Sequence, residues 1–432
     1  MSTHQVPQGT PGSDPGDDAR WLSRRGFLGG LGAAGVVGAG LGAAVTAAGA
    51  SGPEEPEEPE EPPQAARVEF HGPHQAGIAT PSQDRLAFAA FDLVTEDRAS
   101  LRDLLREWTA ASVAMTRGLL VPGDSSSPTI APADTGEAME LPPSALTVTA
   151  GFGPSLFDDR FGLAAHRPSA LVPLPALPGD ALQSGRTGGD LAVQACAYDP
   201  QVAFHVIRNL ARIGEGVVRL RWSQLGFGRT STTSRRQTTP RNLMGFKDGT
   251  RNVKAEDAAA MERHVWADGD QPWMRGGTYL VARRIRMLIE PWDRERLDEQ
   301  EAVFGRRKET GAPLTGRHEF DPPAFSVRAP DGKPVIPADA HVRLASPESN
   351  GGTSILRRGF SYTDGLDDKG LLDAGLFFLS FQRDPQQFVQ LQRRLGSYDA
   401  LNEYIRHTGS GVWACPTGLP DKTRSWADHL FG

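Results

Sequence analysis

The sequence predicts an α+β fold made of two copies of a split β-α-β unit packed face to face. Three observations carry this. Apolar strand-like runs and one-sided helical stretches follow one another as β-α-β-β-α-β over residues 85–225. The same kind of succession returns over 278–415. The stretch holding both copies, about 65 to 432, is too long for an average single unit.

In the first copy, "RLAFAAFDLVT" (85–95) is an apolar, strand-like run. From Arg98 to Met115 the spacing puts Leu101, Leu104, Leu105, Trp108 and Met115 on one helical face. "LTVTAGFG" (146–153) and "DLAVQACAY" (190–198) read as strands. Asp199-Pro200 then supplies an N-cap and a proline at the first helical position, and Gly214 closes that helix. "VVRLRWSQL" (217–225) alternates as a half-buried strand, completing a ferredoxin-like pattern.

In the second copy, "TYLVARRIRMLI" (278–289) is a strand and a helix runs from about Trp292 to Phe304. "SILRRGFSY" (354–362) and "GLFFLSFQ" (375–382) are strands. Helices are expected at about Pro385 to Leu395 and Tyr398 to Arg406, before a last strand at "GVWAC" (411–415). The loop from about Arg306 to Ser354 is of a length usually tied to function or disorder.

The N-terminus reads as targeting sequence. "SRRGFLGG" (23–30) opens an uncharged stretch, Gly26 to Ala50, made mostly of Gly and Ala. Paired arginines before a mild apolar region, with "AGA" (48–50) as a cleavage site, read as a twin-arginine signal; an uncleaved anchor is the alternative. "PEEPEEPEEPPQ" (53–64) is too rich in Pro and Glu to bury a core and serves as an extended spacer. The expected organisation is a signal over 1–50, a linker over 51–65, and two units over 66–235 and 236–432. The net charge is −7, of which the six linker Glu account for nearly all. A nearly neutral body does not argue for nucleic acid or an anionic membrane surface.

Chemistry-bearing residues stand out in few places. "NLMGFKDGTRN" (242–252) is made of turn-forming residues, yet apolar Leu243, Met244 and Phe246 lead straight into Asp248. Asp248 is thus either a solvated turn residue or a carboxylate held against a buried site. His341 sits between Ala340 and Val342 in the long loop, ahead of an arginine-rich strand. The only cysteines, Cys196 and Cys415, fall in apolar strand-like runs and read as buried thiols, with one disulfide possible. His71 and His74 form a pair with no third metal ligand near them in sequence.

These residues resemble a family. "GFKDG" (245–249) is similar to the GxxDG motif of dye-decolourising peroxidases, and "HVRLASPESN" (341–350) with "ILRRGFSY" (355–362) to their haem-histidine and distal-arginine segment. "HQAGI" (74–78), "QACAYDPQVAFHVIRNL" (194–210) and "GLFFLSFQRDP" (375–385) resemble the family too, and most closely its exported, twin-arginine branch. The resemblance covers about 66 to 420. It implies a dimeric α+β barrel with one b-type haem per chain held between sheets and helices. The implied activity is reduction of hydrogen peroxide through a ferryl intermediate, with dyes, phenols or other small one-electron donors oxidised. It further implies the twin-arginine translocase as a partner and export to the periplasm or beyond. A homo-oligomer is compatible with it.

The resemblance also assigns roles. Asp248 is the distal carboxylate, beside Gly249, whose lack of a side chain lets the backbone turn close to the porphyrin. His341 is the proximal iron ligand and Arg357 the distal arginine. Arg358 points to the other face of the strand. Asp384 is either the carboxylate that receives the second N–H of His341 or a plain N-cap at Pro385. Arg343 and Arg306 are candidates to meet haem propionates, or else salt-bridging arginines. Phe378 and Phe360 line the distal pocket or belong to the core. Tyr362 and Trp413 are candidate electron relays. Residue 359 is glycine where some branches have asparagine. The chain ends at "RSWADHLFG", without the long tail that targets cargo to a protein shell, so encapsulation is not expected. A haem-handling, iron-acquisition protein working with a membrane iron transporter is the alternative function, and a non-haem binding protein of the same architecture is a third.

Overall fold

A computed structural model describes residues 65–432; the expected signal and all but the last residue of the linker lie outside that range. The first unit contributes β1 (Arg85–Leu93), α1 (Arg98–Met115), β2 (Thr147–Phe152), β3 (Leu191–Ala197), α2 (Pro200–Ile213) and β4 (Val218–Arg229). After α3 (Ala258–His264), the second contributes β5 (Thr278–Met287), α4 (Ile289–Trp292), α5 (Leu297–Phe304), α6 (His341–Leu344), β6 (Leu356–Arg357), β7 (Phe360–Leu366), β8 (Leu372–Gln382), α7 (Pro385–Tyr398), β9 (Ile405–Cys415) and α8 (Asp428–Phe431).

Local chemistry fixes the long helices. Asp97 caps α1 by accepting from the Ala99 and Ser100 N–H groups, and the face with Leu101, Leu104, Leu105 and Trp108 is buried. Asp199 caps α2 in the same way, with Pro200 at its first turn.

The strands run in the order β5-β9-β2-β3-β1-β4-β7-β8-β6, and β5 also pairs with β8. That extra pairing closes eight strands into an antiparallel ring and leaves β6 as a flap on β8. Each unit has its own fourth strand beside its first, then its third, then its second: β4-β1-β3-β2 and β9-β5-β8-β7. The duplicated ferredoxin-like plan is therefore present, joined at two seams, β4–β7 and β2–β9. Phe88, Trp222, Phe377, Tyr362 and Trp413 meet in a buried cluster drawn from strands of both units. The opposite faces of β1 and β3 pack on α1 and α2.

Three expectations are corrected. Residues 398–406 are not a helix: Asp399 caps a short 3-10 turn at Ala400–Glu403, and β9 begins at Ile405. Pairing along β5 from Met287↔Ile405 to Thr278↔Cys415 outweighs the local helical pattern. The helix expected over 292–304 is two pieces, α4 and α5, the second closed by Gly305 at φ 75°. The strand expected over 354–362 breaks at Arg358–Gly359 into β6 and β7. Among the described residues no helix is long and apolar enough to cross a membrane.

Candidate active site

The stretch 242–252 is a folded loop anchored from below. Asn242 Oδ1 accepts from the Met244 and Phe246 N–H groups at 3.1 and 3.3 Å. Met244 and Phe246 are buried, and the Phe246 ring stacks on Phe304 at 4.1 Å. Gly245 and Gly249 take φ of 84° and 85°, and a Cβ on Gly249 would meet the Ser231 Cα at 2.8 Å. The apolar residues hold the loop down, and the glycines turn Asp248 outward into a cavity.

Arg357 reaches the same place from β6. Its Nη1 donates to Asp248 Oδ1 at 2.7 Å, and the two side chains are 28% and 14% exposed. Arg358 goes the other way: it is fully buried, and its guanidinium donates to the Thr80 carbonyl and to Gln83 Oε1. A Cβ on Gly359 would meet Thr230 Oγ1 at 2.8 Å and Leu376 Cδ1 at 3.1 Å, so a larger residue there requires its neighbours to move.

His341 opens α6 and faces the same cavity. Its Nδ1 lies 2.6 Å from Asp399 Oδ2, a carboxylate only 3% exposed. Burial disfavours the charged ring, but the Asp399 charge and hydrogen bond outweigh it and raise the His341 pKa above its ordinary value. Asp248 adds to that rise and Arg357 opposes it, so all three charges act on this imidazole.

The cavity has about 1560 Å³ of space between atoms, part of it open to solvent, and its walls are mostly apolar. Phe304, Ile285, Leu376, Phe378, Phe388 and Leu391 contribute to them. The donor set suits a haem. With Nδ1–H donated to Asp399, the Nε2 lone pair of His341 is free to bind a metal. The carboxylate–guanidinium pair can move a proton and hold negative charge. Arg306 also lines the cavity, 7% exposed, with Nη1 donating to the carbonyls of Gly311 and Glu319 at 2.6 and 3.0 Å.

The structure thus brings Asp248, Gly249, Arg306, His341, Arg357 and Phe378 to one cavity. Two other candidates are corrected. Asp384 does not touch His341; it caps α7, its Oδ1 accepting the Gln386 N–H at 2.8 Å while Gln387 Oε1 accepts its own N–H at 2.9 Å. The helix carries that aspartate away from the histidine, and Asp399, just past the far end of α7, takes the role. Arg343 is also elsewhere: its Nη2 donates to the carbonyls of Phe325 and Ile336, both at 2.7 Å, bracing the long loop. Phe360, Tyr362 and Trp413 belong to the buried cluster shared by both units, with the Arg284 guanidinium 4.2 Å over the Tyr362 ring. Cys196 and Cys415 are free and buried. His74 is structural, with Nδ1 2.7 Å from the Gly276 carbonyl and its ring stacked on Trp266 at 3.6 Å. No group of three His, Cys, Asp or Glu able to hold a metal ion occurs among the described residues. Sequence reasoning missed Asp399 and Asn252; the latter is the last letter of the stretch that carries Asp248.

Known proteins resemble this chain along most of its length. Residues 75–228 match the family description "Dyp-type peroxidase, N-terminal" and residues 239–419 match "Dyp-type peroxidase, C-terminal". A protein named deferrochelatase from Escherichia coli O6:K15:H31 is 39% identical over 360 residues, 82% of this chain and 84% of its own length. A crystal structure of a DyP-type peroxidase from Streptomyces coelicolor superposes with a TM-score of 0.79 at 41% identity, covering 86% of this chain and 98% of that one. An oxyferrous/water complex of DtpA from Streptomyces lividans gives 0.78 at 40% identity, covering 86% and 99%.

Proposed function

Because the chain belongs to the Dyp-type peroxidase family, a haem-using class, we propose that it is an exported haem b peroxidase that reduces hydrogen peroxide. One haem per chain, bound in the cavity described above, would serve small one-electron donors such as dyes and phenols. The observation that carries this is the meeting of two pairs in one apolar cavity: His341 on Asp399, and Asp248 on Arg357.

When bound, haem supplies the iron at which the O–O bond is cleaved and the oxidising capacity that the donors consume. The chain does the rest. His341 would hold the iron through Nε2, and Asp399, by accepting the Nδ1 proton, would make that nitrogen a stronger donor. Asp248 takes a proton from one peroxide oxygen and returns it to the other, so that the bond breaks with water as the leaving group. Arg357 cannot deprotonate and supplies fixed positive charge to the oxygen that becomes negative. Arg306 is the candidate partner for a propionate. Over a full cycle peroxide, two electrons and two protons give two waters.

The name of the Escherichia coli relatives favours a second reading, a haem-handling or iron-acquisition protein working with a membrane iron transporter. One experiment separates the two. The haem-loaded chain receives one equivalent of peroxide, with and without a phenol, while the Soret band and released iron are followed. The peroxidase reading expects a fast Soret change reversed by the phenol, with haem intact. Iron release with intact porphyrin and no donor turnover would favour the second reading. For export, Arg24→Lys with Arg25→Lys should retain the folded chain in the cytoplasm, and normal secretion would remove the twin-arginine reading.

A further inference from the structure

β6 is two residues long and continues the line of β7 along β8, beyond the end of β4. Leu356 and Arg357 pair with Phe381 and Ser380 of β8, and the ladder bond beside them is Arg358 N–H to the Leu379 carbonyl at 2.9 Å. In an antiparallel pair, alternate residues turn their backbone groups away from the partner. Arg357 is such a residue, so its N–H and C=O face an edge with no strand on it, where such groups go unpaired.

A side chain fills that edge. Asn252 Oδ1 accepts the Arg357 N–H at 2.8 Å, and Asn252 Nδ2 donates to the Arg357 carbonyl at 2.8 Å. The other Nδ2 hydrogen goes to the Thr232 carbonyl at 2.9 Å. Both ends of the amide are therefore engaged, and the residue is 8% exposed. Ser231 Oγ adds a bond to the Arg357 carbonyl at 2.9 Å. Asn252 lies four residues past Asp248 on the same folded loop, tied back by its N–H to the Gly249 carbonyl at 3.0 Å. One loop thus grips Arg357 twice: by its guanidinium through Asp248, and by its backbone through Asn252.

We propose that Asn252 is a positioning residue for Arg357: standing in for a missing strand, it fixes the arginine backbone so that the guanidinium stays in register with Asp248 and the reacting peroxide. This rests on the reading of Arg357 as the cation that acts on peroxide. An arginine reaches its target through a long side chain, so a small backbone shift is amplified at the guanidinium. A misplacement of about 1 Å is enough to cost on the order of 10²-fold in rate.

The test is a double-mutant cycle on the haem-loaded full chain, with Asn252→Ala, Arg357→Leu and the double variant. Two quantities are read: the second-order rate constant with peroxide by stopped flow, and the fluoride dissociation constant of the ferric protein, an equilibrium property that reports the same cation. Asn252→Ala should lower the rate by about 10- to 10²-fold and weaken fluoride by about 10-fold. In the Arg357→Leu background the same change should move either quantity by less than about 2-fold, because the two residues act as one unit. Asn252→Asp keeps the acceptor for the Arg357 N–H but loses both donors, and should fall between wild type and Asn252→Ala; it carries the same comparison if the alanine variant does not fold. Equal losses from Asn252→Ala in both backgrounds would make the residue merely structural and overturn the proposal, while the peroxide reading stands. If Arg357→Leu itself matches wild type in both quantities, it is the underlying reading of Arg357 that fails.

Discussion

Replacing Asp399 with Asn tests the proximal half of the site with almost no change in shape. The carboxylate is 3% exposed and its Oδ2 lies 2.6 Å from His341 Nδ1, the spacing of a charge-assisted hydrogen bond. Its other oxygen, Oδ1, accepts the Leu401 N–H at 2.9 Å and caps the turn before β9. An asparagine can keep that cap with its carbonyl oxygen, but then its NH₂ faces the imidazole. Two donors cannot share a bond, so His341 must give up its Nδ1 proton and carry one on Nε2, the nitrogen that should hold iron. Charged hydrogen bonds of this kind contribute about 1.5–3 kcal/mol. Loss of such an outer partner typically costs about 10–100-fold in metal affinity, the same size of effect. Haem transfer from the variant to an apo-globin should therefore run about 10–100-fold further at equilibrium. The reduction potential should rise, because a weaker imidazole donor stabilises ferric iron less. The pH dependence has a definite sign. In the haem-free chain the His341 pKa is raised, burial being outweighed by Asp399, so protons compete for Nε2 already above the ordinary value near 6.5. That raised value adds stability to the haem-free fold which is full below about 6.5 and is lost as pH rises through the folded-state pKa. Haem affinity of the wild type should accordingly fall as pH drops through the raised pKa, and Asp399→Asn should shift this limb to lower pH. Unchanged haem retention, potential and acid limb in Asp399→Asn would refute the reasoning.

Other outcomes follow from the same geometry. His341→Ala should lose stable haem binding, seen as loss of the Soret band after gel filtration; a normal ferric spectrum would move the ligand to another histidine. Asp248→Asn should slow the peroxide reaction by about 10²–10⁴-fold, and Arg357→Leu by about 10²–10³-fold, in stopped-flow measurements with haem content unchanged. Asp384→Ala should cost about 1 kcal/mol of stability in a urea titration through loss of the α7 cap, and leave the haem spectrum and potential as they were.

The contrast between Asp384 and Asp399 shows where the sequence stops being legible. Caps, alternation and the doubled strand pattern are local, and they located both units, both long first-unit helices and the loop that carries His341. Asp384 also announced itself locally, as Asp-Pro, and it is the cap that this pair of letters describes. Whether an aspartate near α7 meets His341 is a question of a different kind. The helix has 14 residues and is about 21 Å long, with an aspartate flanking each end. Only the packing of α7 against β5, β8 and α6 decides which end faces the imidazole. The false helix at 398–406 concealed the answer, because it read Asp399 as a helical residue when it caps a turn that hands the chain to β9. Arg343 and Arg306 differ in the same way. Both are arginines of the long loop that donate to its carbonyls, and only the fold brings Arg306, and not Arg343, to the cavity wall. Asp248 shows the opposite case. Turn residue and buried carboxylate had stood as rivals, and the loop makes them one: Gly245 and Gly249 form the turn, Met244 and Phe246 bury its floor, and the acid is left with no direction but the cavity. A motif that mixes glycines with large apolar residues around a single charge is therefore legible as a site where the same charge among polar residues would not be. The apolar side chains supply the energy that holds a carboxylate where water alone would not keep it.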